Sequence, residues 1–178
     1  KPNTQQDEVH VYVLTLKLTA SIAIPMNEMR EVYFPPHLNR IPAHLTLFHA
    51  LPHSQLSAIE AYLDTIASHA KPFTVSTGVP FRMGRGVGIG LSSGGRECVA
   101  LHDALRDKWV QWLSDQDRGG WKPHWTVMNK ETDEKKVKDA FNSIRRDLFE
   151  NEYAGSATGL DLWRYDGGGW QWTKNFKF

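Results

Sequence analysis

The segment Pro42–Phe48, PAHLTLF, is echoed eighty residues later by Lys122–Met128, KPHWTVM. Each copy sets a histidine, an apolar residue, a threonine and a second apolar residue beside a proline, and each alternates polar and apolar side chains as a half-buried strand does. The stretches downstream of the two copies are also alike. After the first, Leu56, Ile59, Leu63, Ile66 and Ala70 recur at helical spacing behind Ser54 as N-cap; Phe73–Phe81 and Val87–Leu91 then read as a hairpin turning through RMGRG. After the second, Thr132, Asp133 and Glu134 open a helix whose buried stripe is Val137, Phe141, Ile144 and Leu148. GLDLWRY, the turn DGGG and WQWTKNFKF form a closing hairpin. A duplicated βαββ unit of this size packs as two pseudo-symmetric lobes around a shared cleft.

The rest of the chain fits between these units. Glu8–Leu18 is β-rich and apolar on both faces, which suits a central strand. Ile22, Met26, Met29 and Tyr33 come next at helical spacing, with Pro25 tolerable only near the helix start and Pro35-Pro36 ending it. Leu101, Leu105, Trp109, Trp112 and Leu113 mark a long helix that runs into the polar loop SDQDRGGWKP.

At 178 residues the chain is expected to form one domain, residues 1–178. No apolar run approaches the roughly 18 residues that cross a bilayer. Residues 1–8 are polar and carry no secretory core, and Cys98 is the only cysteine, so neither a disulfide framework nor a cysteine-built zinc site is available. A reducing compartment is expected, the cytoplasm first and the nucleus second. The formal charge of +1 points to short, local nucleic-acid contact rather than a long phosphate track, and no obligatory protein partner is indicated. Lys135, Lys136, Lys138, Arg145 and Arg146 read as a solvated helix face.

On a strand, His44 and Thr46 share one face while Leu45 and Leu47 share the other; His124 and Thr126 lie likewise opposite Trp125 and Val127. With the apolar set under the helices, two imidazoles and two hydroxyls line the open face of the sheet. Imidazole titrates near neutrality, so one ring can take a proton from a nucleophile while the other gives one to a leaving oxygen. The threonine hydroxyls can hold non-bridging phosphate oxygens in line between them, and no metal or other cofactor is required.

Other residues carry less. His49 has the opposite strand parity to His44 and His53 lies in the loop after that strand, so a zinc cluster is not supported. His102 falls on a helix stripe as a core histidine, and His10 can face either side of the first strand. Gly84, Gly86 and Gly88 form G-x-G-x-G inside a hairpin with no helix after it, which fails as a dinucleotide fingerprint. Arg40 and Arg85 are candidates for a second phosphate contact, and Tyr33 and Trp170 for base stacking.

The paired His-x-Thr-apolar motifs resemble the 2H phosphoesterase superfamily. FPPHLNRIPAHLTLFHALP, QDRGGWKPHWTVMNK and GLDLWRYDGGGW resemble its 2′-5′ RNA ligase-like branch, and the resemblance runs from about Val9 to Phe178. It implies an α+β fold of two lobes with antiparallel sheets flanking a central cleft. It also implies metal-independent phosphodiesterase chemistry on RNA or nucleotide termini bearing a 2′,3′-cyclic phosphate, often leaving a 2′-phosphate; some members join RNA ends through a 2′-5′ linkage without ATP. The catalytic quartet carried over is His44, Thr46, His124 and Thr126, with His44 as acid on the departing 3′ oxygen and His124 as base on water in the hydrolytic sense. Two departures, GGGW in the last turn and MNK after the second motif, touch substrate contacts rather than the quartet. The rival readings are an RNA-end or nucleotide-binding module without turnover, and the same chemistry on ADP-ribose cyclic phosphate or 2′-5′ oligoadenylate.

Overall fold

The computed structural model describes residues 1–178. Seven strands and five α-helices make up the chain: β1 (Val11–Leu18), α1 (Ala20–Tyr33), β2 (Thr46–Pro52), α2 (Leu56–His69), β3 (Phe73–Met83), β4 (Gly86–Leu91), α3 (Gly95–Trp109), α4 (Asp115–Arg118), β5 (Trp125–Met128), α5 (Glu134–Glu150), β6 (Ala154–Asp166) and β7 (Gly169–Lys177). All strand pairs named here are antiparallel, in the order β2-β1-β6-β3-β4-β5 with β7 added to β6.

The duplication expected from the sequence is present, but its parts are exchanged. β2 and its helix α2 join the hairpin of the other copy, giving the group β2-β1-β6-β7 with α2 packed on β6 and β7. β5 and α5 join the hairpin β3-β4, with α5 packed on both strands. The preceding helices cross over too. α1 packs against β5 rather than the strand it leads into, while α3 stacks His102 on Phe48 of β2 and sets Trp109 edge-on to it. A short pairing of Phe73–Ser76 with Ala154–Ala157 joins the lobes, so neither copy can bury its apolar face without the other.

Strand parity places the core. Leu14 and Leu16 of β1, Leu160 and Leu162 of β6, and Leu45 and Leu47 around the first motif are all buried in one cluster of 30 residues. The opposite sheet face carries polar side chains. Thr46 pairs with Thr15, Thr15 with Asp161 and Asp161 with Asn175, so a polar row crosses four strands. No helix is long and apolar enough to cross a membrane.

Local details depart from the sequence pattern in four places. Pro25 lies inside α1, beyond its first turn, where the helix gives up one backbone hydrogen bond. Ser54 does not cap α2; a single 3₁₀ turn, His53–Gln55, precedes that helix, and the Ser54 hydroxyl donates to Glu8 at 2.7 Å. The loop after α3 contains a helical turn, α4, capped by Ser114, whose hydroxyl accepts from the Asp117 N–H at 3.2 Å. Asp133 rather than Thr132 caps α5, accepting from the Lys135 N–H at 2.9 Å.

Candidate active site

The sheet's first and last strands, β2 and β5, meet at the two motifs. Leu45 and Trp125 form an antiparallel bridge, both buried. In antiparallel register, partners sum to a constant, so this bridge sets His44 opposite Thr126 and Thr46 opposite His124. All four point to the face away from Leu45 and Trp125. Each imidazole thus lies across from the hydroxyl of the other motif.

Both rings are anchored alike. His44 Nδ1–H donates to the Pro42 carbonyl at 2.7 Å, and His124 Nδ1–H donates to the Lys122 carbonyl at 2.8 Å. That bond fixes the tautomer, leaving Nε2 of each neutral ring as the acceptor for a substrate proton. Each ring also rests on an aromatic side chain of its own lobe's hairpin: Trp170 lies 4.4 Å from His44 between ring centres, and Phe81 lies edge-on to His124 at 5.5 Å. Gly88 makes the second packing possible, because a Cβ there would meet the Phe81 ring at 2.4 Å. At Gly86 a Cβ would fall 1.9 Å from the Met128 carbonyl oxygen. The glycine run therefore lets β4 approach β5 and seats Phe81.

Burial pushes the His44 pKa down to about 4, helped by the charges of Arg30, His49 and His124 and opposed by its bond to Pro42. In these surroundings His44 is neutral at pH 7. Thr126 Oγ1 has only a sulfur partner, Met83 Sδ at 3.9 Å, which leaves its proton free for a stronger acceptor. The Thr46 carbonyl accepts from Trp121 Nε1 at 2.9 Å, tying β2 to the loop before β5.

Helix α1 organises both motifs. Asn27 Oδ1 accepts from the Ala43 N–H at 2.6 Å, next to His44. One turn later Arg30, 5% exposed, donates Nε to Asn39 Oδ1 and Nη1 to the Thr126 carbonyl, both at 2.8 Å, with its guanidinium 4.0 Å from the centre of the Phe34 ring. None of the molecule's ion pairs includes it. Burial lowers its own pKa to about 10, so it stays charged at neutral pH. A buried cation without a carboxylate raises the potential where a phosphate would sit.

The remaining sequence candidates divide. Trp170 and Arg40 line a cavity of about 310 Å³ that opens beside His44. Arg85 does not reach the cleft, since Nε and Nη2 donate to the Glu131 and Lys130 carbonyls, both at 3.2 Å, bracing the turn after β5. Tyr33 is also elsewhere, in a groove with Pro36 and Met128. His49 does not gather with His44; its backbone N–H and Nδ1 pair with the buried Asp117 carboxylate at 2.8 and 3.1 Å. His102 is buried between the Phe48 and Trp121 rings. His10 sits exposed, edge-on to His53.

Sequence reasoning missed Arg30, Asn27, Phe81 and Asp161. Arg30 left a signal: it falls four residues after Met26 and three before Tyr33, a cation on the apolar stripe of α1. Asp161, between Leu160 and Leu162, shares the strand face of Trp163. For Phe81 the signal was absent, because only the placement of β4 between β3 and β5 brings it across Gly88 to His124.

Comparison with known proteins agrees with this construction. Escherichia coli LigT complexed with NADP+ superposes with a TM-score of 0.64 at 17% identity, over 100% of this chain and 99% of that one. A protein described as a phosphoesterase gives 0.64 at 18% identity over 95% and 98%. TT0787 of Thermus thermophilus gives 0.65 at 17% over 94% and 97%. At such identities the likeness is one of fold. No curated protein matches the chain by sequence. The family model of the 2′-5′ RNA ligase superfamily matches residues 18–169, which include both His-x-Thr motifs, and the chain belongs to that superfamily of 2H phosphoesterases.

Proposed function

We propose that the protein is a metal-independent 2′,3′-cyclic phosphodiesterase acting on RNA or nucleotide termini, with His44, Thr46, His124 and Thr126 as its catalytic residues. The observation that carries this reading is the Leu45–Trp125 bridge, which sets each anchored imidazole across from the other motif's threonine. A phosphorus centre between the rings has a proton acceptor on one side, a donor on the other and two hydroxyls for its non-bridging oxygens. That the related LigT has been crystallised with 3′-AMP and with NADP+ supports a nucleotide-sized ligand in such a cleft.

In the hydrolytic direction His124 Nε2 takes a proton from water as its oxygen bonds to phosphorus. The bond from phosphorus to the 3′ oxygen breaks, His44 supplies that oxygen with a proton, and a 2′-phosphate remains. Replacing water by the 5′-hydroxyl of a second RNA end gives a 2′-5′ linkage by the same proton transfers. The protein surroundings alone keep His44 neutral, so its role as acid depends on the phosphate: an anion against the ring offsets the burial and the Arg30 charge that hold its pKa down.

The test is incubation with an RNA oligonucleotide ending in a 2′,3′-cyclic phosphate, in EDTA, resolving 2′-phosphate, 3′-phosphate and joined products. Wild type is expected to convert it, and His44→Ala and His124→Ala each to lose about 10²- to 10⁴-fold. Full loss on chelation would sink the two-imidazole mechanism. Tight binding of that RNA without conversion would favour the non-catalytic binding module.

A further inference from the structure

The cavity beside His44 contains a carboxylate that the phosphodiester chemistry does not use. Asp161 of β6 is 5% exposed, and no ion pair includes it. Its Oδ1 accepts from Trp172 Nε1 at 3.2 Å and from Asn175 Nδ2 at 3.0 Å. Those two bonds tie β6 to β7 and account for one oxygen. Oδ2 accepts nothing from the protein and is not among the sealed, unsatisfied polar atoms of the interior, and Asp161 lines the cavity. A buried carboxylate oxygen left without a donor is costly unless a ligand or water completes it.

The surroundings fit a nucleobase. Trp163, Trp170 and Trp172 wall the cavity, Trp163 being fixed by its Nε1 bond to Thr15 Oγ1 at 2.9 Å. Asn27 also lines it; its Oδ1 is taken by Ala43, which leaves Nδ2 as a free donor. Indole faces stack on any base, so they supply affinity without choice. Choice comes from the polar edge. Asp161 stands two strands from Thr46 in the same cross-sheet row, about 9.5 Å at ordinary strand spacing. That span is comparable with the distance from a ribose-borne phosphate to the Watson–Crick edge of its own base.

We infer that this cavity receives the base of the nucleotide carrying the cyclic phosphate and that Asp161 makes it selective for guanine. Guanine alone among the four bases presents two adjacent N–H donors, N1–H and the N2 amino group, to a carboxylate, and its O6 is an acceptor for an amide such as Asn27 Nδ2. Adenine and cytosine offer one amino group beside a ring nitrogen that repels the carboxylate. Uracil offers one N–H between two carbonyl oxygens. The inference rests on the phosphodiesterase reading for the placement of the phosphate, but base selection can be measured without turnover.

The experiment compares hydrolysis of the four 2′,3′-cyclic mononucleotides by wild type and Asp161→Asn, together with calorimetric binding of 2′-GMP and 2′-UMP. Asparagine keeps an oxygen for Trp172 and Asn175 while turning an amino group into the cavity. Wild type is expected to favour guanosine by about 10- to 100-fold in kcat/KM, the range for one two-point base contact. Asp161→Asn should remove that preference, bringing kcat/KM on the guanosine substrate down toward that on the uridine substrate. Hydrolysis without base preference, or an equal loss on all four substrates, overturns the inference and leaves the phosphodiesterase reading standing. Tighter binding of 2′-GMP than of 2′-UMP that is lost in Asp161→Asn, without hydrolysis, upholds the inference and overturns the catalytic reading. Failure to bind either nucleotide or to hydrolyse any substrate overturns both. Should Asp161→Asn not fold, the wild-type preference decides alone.

Discussion

His44 and His124 are held by the same bond to a carbonyl two residues back, and each leans on an aromatic residue of its lobe's hairpin. Their surroundings are otherwise unlike. His44 lies close enough to the buried Arg30 to feel its charge and opens on the cavity holding three tryptophans and Asp161. His124 opens on a separate cavity of about 340 Å³, with His49, Gln116 and Lys122 in its wall. What the two copies share is the machinery that holds a ring and a hydroxyl at the strand seam. What they do not share is the cavity on which each ring opens.

If the two sides are equivalent in chemistry, Thr46→Val and Thr126→Val should each lower kcat by about 10²-fold with little change in fold, as loss of one preorganised donor does. Steady-state kinetics on a cyclic nucleotide would show it, and a loss confined to one threonine would break the equivalence. A smaller effect is expected at Arg30, which belongs to the His44 side by charge and to the His124 side by its bond to the Thr126 carbonyl. Arg30→Met should cost on the order of 10-fold in kcat/KM, the scale of one charged hydrogen bond. Its melting temperature should move little, because removing a desolvated, unpaired cation offsets the lost bonds. Arg30→Lys keeps the charge without the fork and should fall between; activity equal to wild type in both variants would reduce Arg30 to packing.

A third effect concerns stability against pH. His44 titrates at about 4 folded against an ordinary 6.5, so between those values the unfolded chain binds the proton first. Stability from this group is therefore complete above pH 6.5 and declines as the pH falls through about 4. Denaturant unfolding of wild type and His44→Phe between pH 4 and 7 should show a shallower slope in the variant. Equal slopes would mean that the ring is solvated.

Much of this was legible in the sequence because it depends on period. The alternation around His44 and His124 put both histidines and both threonines on one strand face, and the duplicated order of strand, helix and hairpin pointed to the α+β fold. The exchange of hairpins between lobes was hidden, since pattern reports which face is apolar but not which partner covers it. Arg85 illustrates the limit: an arginine at a hairpin tip reads as a phosphate contact until the turn at Lys130 and Glu131 is seen to occupy its guanidinium. Asp161 shows the reverse case, where strand parity was visible but the meaning of an acid between two leucines required the three indoles around it.

In the proposed reaction two imidazoles from two lobes close on one phosphate. The most direct measurement is an NMR titration of the His44 and His124 ring protons with and without 2′-GMP. Both rings are expected to respond to the same nucleotide at one affinity, with the His44 pKa rising from about 4 as the phosphate arrives. A response of one ring alone, or a His44 pKa unmoved by bound nucleotide, would contradict the shared site.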